Sequence, residues 1–136
     1  MATIFTLGYG NRPPADTLRL IPEGVQVIDV RYKPTAWSPL LTATALRQHF
    51  GEQYASIPAL GNPSMNPDQW VPEDTGKASL FLMTIAKRLD LGKDVLLLCA
   101  EIDPLQCHRR FVAEALRDRV PGATIVHLGV KGTAVL

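Results

Sequence analysis

No stretch of the 136-residue chain approaches the roughly 18 consecutive apolar residues of a membrane-spanning helix, so no membrane partner is expected. The opening MATIFTLGYG has neither the basic start nor the cleavage site of a secretory signal. A soluble, cytoplasmic protein is the expectation. Charge of one sign is also missing: fourteen Lys and Arg against thirteen Asp and Glu leave a formal +1. That excludes a global electrostatic footprint for nucleic acid and leaves room only for a local basic patch. Cysteine is scarce, and two thiols cannot build a disulfide framework. Internal repeats, low-complexity tracts and linkers are absent as well. The length and the 46% hydrophobic content suit one core, so residues 1–136 are expected to form a single domain.

What is present alternates. TIFTLG (Thr3 to Gly8) is β-branched and aromatic and stops at glycine, as a strand does. PADTLRLI (Pro14 to Ile21) has proline at a helix start and Leu18 and Ile21 three apart. VQVIDVR (Val25 to Arg31) is apolar at almost every position, the pattern of a strand covered on both faces. A helix over Thr42 to Phe50, a short strand over Tyr54 to Pro58, a long helix over Asp74 to Asp90 and a buried strand over Asp94 to Ala100 follow. A helix over Asp103 to Arg119 and a strand over Ala123 to Leu128 complete the series. This order predicts a single three-layer α/β domain, Rossmann-like or flavodoxin-like, with a mainly parallel sheet flanked by helices. Between them, Pro58 to Glu73 holds four prolines in sixteen residues. It is either a lid or binding loop, or an ordered coil anchored by Leu60 and Trp70.

In such sheets ligands bind beyond the carboxyl ends of the strands, which directs attention to three exits. The first carries Gly8, Tyr9, Gly10 and Arg12, where glycine lets backbone approach a ligand. The second carries Asp29 and Arg31, two apart and so on one face, either an internal ion pair or an anion-binding arginine oriented by an acid; Lys33 adds charge nearby. The third lies in LLLCAEIDPLQCHRRFVAEAL, residues 96 to 116, where reactive side chains are densest. There Asp103, Pro104 and Gln106 resemble a capping box. The reading places Cys107 in or just after the first helical turn, where the helix dipole favours a thiolate. Helical phase sets Phe111, Val112, Ala115 and Leu116 as the buried stripe with His108 near its middle, and Cys107 and Arg109 on opposite flanks. His108 is then a structural histidine, a proton-transfer group or an ion-pair partner for Asp29. Glu101 is a general base or a solvated acid, and Cys99 a small hydrophobe at a strand end.

Three sites compete for these residues. A zinc site would use Cys99, Cys107 and His108, but the spacing matches no usual paired-cysteine pattern and a fourth ligand is not obvious, although His127 or Glu101 would serve. A redox pair of Cys99 and Cys107 lacks the C-x-x-C motif. An anion pocket of Arg12, Arg31 and Arg109 beside Cys107 and His108 uses the most features, so neither a metal nor a cofactor is expected.

LGYGNR, IDVRYKP, LGN, the 96-to-116 block and VHL resemble, in order, signature blocks of the domain of unknown function 488 family. The resemblance implies a compact α/β fold and no particular reaction. It points to Gly8, Arg12, Asp29, Arg31, Pro34, Gly61, Cys99, Glu101, Cys107, His108 and Arg109 as motif positions. Where the family often carries Ser-Arg, this chain has Ala36 and Trp37.

The functional expectation is a hydrolase or transferase acting on a small anionic ligand, a nucleotide or a nucleic-acid end. Cys107, His108 and Glu101 are its candidate catalytic residues. Gly8, Tyr9, Gly10, Arg12, Asp29, Arg31 and Arg109 are its candidate ligand-binding residues. A non-catalytic anion-sensing module and a metal-supported fold are the alternatives.

Overall fold

The computed structural model describes residues 2–10, 12–34, 36, 38–101 and 107–129. Strands and helices alternate: β1 (Thr3–Gly8), α1 (Pro14–Leu20), β2 (Gln26–Asp29), α2 (Ala43–Phe50), β3 (Tyr54–Ser56), α3 (Thr75–Asp90), β4 (Val95–Cys99), α4 (Arg109–Arg119) and β5 (Thr124–His127). One-turn 3-10 helices stand at Pro39–Leu41, Gly51–Gln53 and Pro58–Leu60. Every pairing in the five-stranded sheet is parallel, in the order β3-β2-β4-β1-β5. The fourth strand along the chain is therefore the middle one in space.

That position explains the composition of β4. All five of its residues, VLLLC, are buried, because a central parallel strand must be apolar on both faces. Its side chains alternate: Val95, Leu97 and Cys99 enter the core beneath α3 and α4, while Leu96 and Leu98 enter the core beneath α1 and α2. The period of two sets the phase of β2 also, with Ile28 and Val30 on the first face and Val27 on the second.

Two of the helices, α2 and α3, begin where the sequence provides a side-chain acceptor. Thr42 Oγ1 accepts from Ala45 N at 3.2 Å and Asp74 Oδ1 from Lys77 N at 3.0 Å, each satisfying an orphan amide of a first turn. α3 buries Ala78, Leu82, Ile85, Ala86 and Leu89, a stripe at helical spacing.

α4 differs from the sequence expectation in start and phase. It begins at Arg109, with His108 as its N-cap and Cys107 outside it; the capping box at Asp103 to Gln106 lies outside the described residues. Its buried face is Arg109, Val112, Ala113 and Leu116, so Arg109 stands on the stripe rather than on its flank. With Arg109 as first residue, positions 109, 112, 113 and 116 share one face at 3.6 residues per turn.

Candidate active site at the strand ends

Because β2, β4 and β1 are neighbours, the segments leaving their carboxyl ends meet. They enclose a cavity of about 520 Å3 lined by residues of the β1, β2 and β4 exits and of the proline-rich segment. Of the residues expected at the site, Tyr9, Arg31, Glu101, Cys107 and His108 line it, joined by Cys99 and Lys33.

Gly8 and Gly10 lie in the ladder that precedes the cavity. Gly8 is in register with Cys99, and the N–H groups of Tyr9 and Gly10 donate to the carbonyls of Cys99 and Ala100 at 3.3 and 2.7 Å. Those amides are therefore committed to the neighbouring exit. Arg12 and Arg109 are not among the lining residues. Arg12 donates to Gly129 O at 3.3 Å, and its pKa is lowered first by burial and then by the positive charge of Arg109. Arg109 is fully buried and donates to the carbonyl of Glu101. These two arginines thus share a region toward the end of β5, while Arg31 stands on the β2 side of the cavity.

Asp29 and Arg31 form a buried bidentate ion pair. Asp29 Oδ1 accepts from Arg31 Nε at 2.8 Å and Oδ2 from Nη2 at 2.6 Å. Tyr54 adds its hydroxyl to Oδ2 at 2.5 Å. On the far side, Arg31 Nη1 donates to Leu41 O at 2.9 Å, and the guanidinium lies 5.4 Å from the Tyr9 ring centroid. Burial opposes the charge of Arg31, but the hydrogen bonds and charge of Asp29 outweigh it and raise its pKa above the usual value. Asp29 is fully buried and acts on the cavity through the arginine it fixes.

The reactive end of the cavity is a cluster of Cys99, Cys107 and His108, all buried, whose ligand atoms lie within 4.8 Å of one another. His108 Nδ1 is 3.9 Å from each sulfur, and Nε2 is 2.9 Å from Val30 O. A carbonyl only accepts, so Nε2 carries a proton. Of the alternatives for His108, the ion pair with Asp29 does not form, because Arg31 and Tyr54 occupy that carboxylate and His108 turns to the Val30 carbonyl on the opposite face of β2. Both cysteines are free thiols. Cys107 has its pKa lowered, first by the hydrogen bond from Cys99, then, against the cost of burial, by His108 and the backbone N–H of Arg109. Cys99 is raised, by its bond to Cys107 and by burial. Their proximity thus pushes the two thiols in opposite directions, Cys107 down and Cys99 up.

The Pro58 to Glu73 segment is an ordered coil wound around Asn62. The Asn62 amide donates to Asn66 O and Gln69 O, both at 2.9 Å, and its Oδ1 accepts from Val71 N at 3.3 Å. Leu60 is buried, and Trp70 packs against the same core with Nε1 donating to Gly61 O at 3.0 Å. Tyr32 reaches Glu73 at 3.2 Å and Arg110 reaches Pro67 O at 3.3 Å, tying the coil to the β2 exit and to α4. The coil brings Asn62, Pro63, Met65 and Pro67 into the cavity wall, and the β2 exit adds Tyr32. Nothing in the local sequence pattern marks these side chains as ligand-facing; the one signal is the LGN block, in which Asn62 follows Gly61. Of the residues replacing the Ser-Arg pair, Ala36 packs against the α1 and α2 core, and Trp37 lies outside the described residues.

A parallel α/β sheet with a thiol-bearing cavity at its carboxyl edge defines the class. Within that class, the model of the family described as Domain of unknown function DUF488 matches residues 19–116, and the chain belongs to that family. The matched span holds β2 through most of α4, and so Arg31 and the Cys99, Cys107 and His108 cluster; β1 and its exit precede it. No curated protein and no solved structure matches the chain.

Proposed function

We propose that this protein is an enzyme that takes a phosphate-bearing ligand of the nucleotide class into the cavity and hydrolyses or transfers a group from it by way of Cys107. The observation that carries the reading is the place of Cys107 in the lining of a cavity that Arg31 and Lys33 also line. Lys33 supplies the attraction, since it forms no ion pair among the described residues, whereas the charge of Arg31 is offset by Asp29. Tyr9, Tyr32 and Met65 form a wall suited to a flat apolar body such as a base.

In the reaction, the Cys107 thiolate attacks the electrophilic centre, forming a bond to sulfur as the bond to the leaving group breaks. The leaving group takes a proton delivered by way of His108 or Glu101. Water or an acceptor hydroxyl then attacks the sulfur-bound intermediate, loses its proton to the same group and restores the thiolate. A non-catalytic module that only holds the anion is the second reading, favoured by the low exposure of Cys107, 4%.

The two readings separate on Cys107→Ser. Binding of inorganic pyrophosphate and of a panel of nucleoside phosphates should survive this substitution and weaken in Lys33→Ala, while turnover of any accepted substrate should fall at least about 100-fold. Unchanged turnover would remove the nucleophile and leave the sensing module.

A further inference from the structure

We propose that Cys99, Cys107 and His108 form a site for one thiophilic divalent metal ion of the zinc class, with two thiolate ligands, one imidazole ligand and a fourth position open to the cavity. This goes beyond the thiol chemistry above and does not depend on it. An ion held by both sulfurs leaves no nucleophilic thiolate, so metal occupancy and thiol attack exclude each other at this site.

The separations are close to those a metal needs. Zinc bonds of about 2.3 Å to sulfur and 2.0–2.1 Å to nitrogen, in tetrahedral array, place the ligand sulfur and nitrogen about 3.6 Å apart. Each sulfur here stands 3.9 Å from His108 Nδ1, and all three atoms lie within 4.8 Å of one another. The spacing read as unsuitable in the sequence is closed by the fold: β4 delivers Cys99, and the approach to α4 returns Cys107 and His108 beside it.

The imidazole is held in the ligating form. Its Nε2 donates to Val30 O at 2.9 Å, which in the neutral ring leaves the lone pair on Nδ1, the atom facing both sulfurs. A backbone carbonyl fixing the far nitrogen of a histidine is the second-shell arrangement that metal-bound imidazoles use. Trp70 stands beside the ring, tilted by 37°, with centroids 6.4 Å apart.

The donor set selects the ion. Two thiolates and an imidazole prefer zinc to magnesium or calcium, which require oxygen. All three residues line the cavity, so the fourth position falls to water or to an anionic oxygen of a cavity ligand. His127 does not supply it: its Nδ1 is 2.5 Å from the Thr6 hydroxyl, and it is not part of the cluster.

The test uses the full chain, reduced and stripped with a chelator, then titrated with cobalt(II) and with zinc against a chromophoric chelator. One equivalent of cobalt should give a thiolate charge-transfer band with the intense visible bands of a four-coordinate ion, and zinc should displace it and raise the thermal midpoint. Cys99→Ser and His108→Gln should each weaken binding about 100-fold or more, since loss of even an outer-shell partner costs 10–100-fold. Zinc should also block alkylation of Cys107. Absence of a saturable cobalt band in folded wild-type protein would overturn the site. So would unchanged affinity in whichever of the two variants folds, or zinc binding that leaves alkylation unaffected. Alkylation and turnover of the stripped protein judge the thiol reading separately.

Discussion

At the scale of single residues, Asp29 holds the largest electrostatic commitment. Its two oxygens accept from the backbone and side chain of Arg31 and from the Tyr54 hydroxyl, all away from water. Asp29→Asn leaves a buried guanidinium without its counter-charge and should cost about 3–5 kcal/mol in a urea titration. Tyr54→Phe removes one hydrogen bond to a charged group and should cost roughly 1.5–3 kcal/mol. That second effect depends on pH. Burial and the carboxylate push the Tyr54 hydroxyl from 10.0 up to about 12. A raised folded pKa means that the contribution is full below pH 10.0 and lost as pH climbs through about 12, so the gap between wild type and Tyr54→Phe should close over that interval. Cys107 runs the other way. Its pKa is lowered in the fold, so the stability it contributes is present above the unfolded thiol value and is lost as pH falls through the folded one. In chelator-stripped protein, iodoacetamide should alkylate Cys107 with a midpoint well below that of an ordinary thiol. Cys99→Ser should raise that midpoint, because the Cys99 hydrogen bond is the leading cause of the shift; an ordinary midpoint in the wild type would contradict the charge arrangement.

At the scale of elements, the coil between β3 and α3 decides the shape of the cavity. Gly61 packs against the β2 exit so closely that an added Cβ would stand 2.4 Å from Tyr32 Cα, a clash with backbone rather than with a flexible side chain. Gly61→Ala should therefore destabilise the protein by roughly 1–3 kcal/mol and shift the wall that carries Asn62 and Met65, which thermal melts and ligand titrations would both register. The sequence announced this segment by its prolines but not its inward-facing residues, because a coil lacks the period that tells one face of a helix or strand from another. Regular elements were legible for the converse reason: every strand and helix read from alternation and capping is present, with ends moved by a few residues. β2 closes at Asp29 rather than Arg31, yet the pair still shares a face. α4 is the exception. Cys107 and His108 looked helical because Asp103, Pro104 and Gln106 upstream resemble a capping box, but His108 is the N-cap and its ring is turned to two sulfurs and a carbonyl. Proximity of Cys99 to Cys107 was likewise invisible, since eight positions of chain separation fix no distance until the strand and helix on either side are packed.

At the scale of the whole molecule, strand order rather than motif brings the site together. Leu97, at the centre of β4, is fully buried, and Leu97→Ala should cost about 2–5 kcal/mol. Among the described residues no helix is long and apolar enough to cross a membrane. β1 and β2 are not partners of each other: both pair with β4, which enters the chain only at Val95. During synthesis the first ninety or so residues therefore hold one strand pair, β2 with β3, and a β1 that has no partner yet, and most long-range pairing waits for one late insertion. A fragment ending before Val95 should show no cooperative melting transition, and adding the β4 and α4 segment as a separate peptide should restore one. Assembly of the sheet and assembly of the cavity are thus a single event, since the strand that joins the halves carries Cys99 at its end.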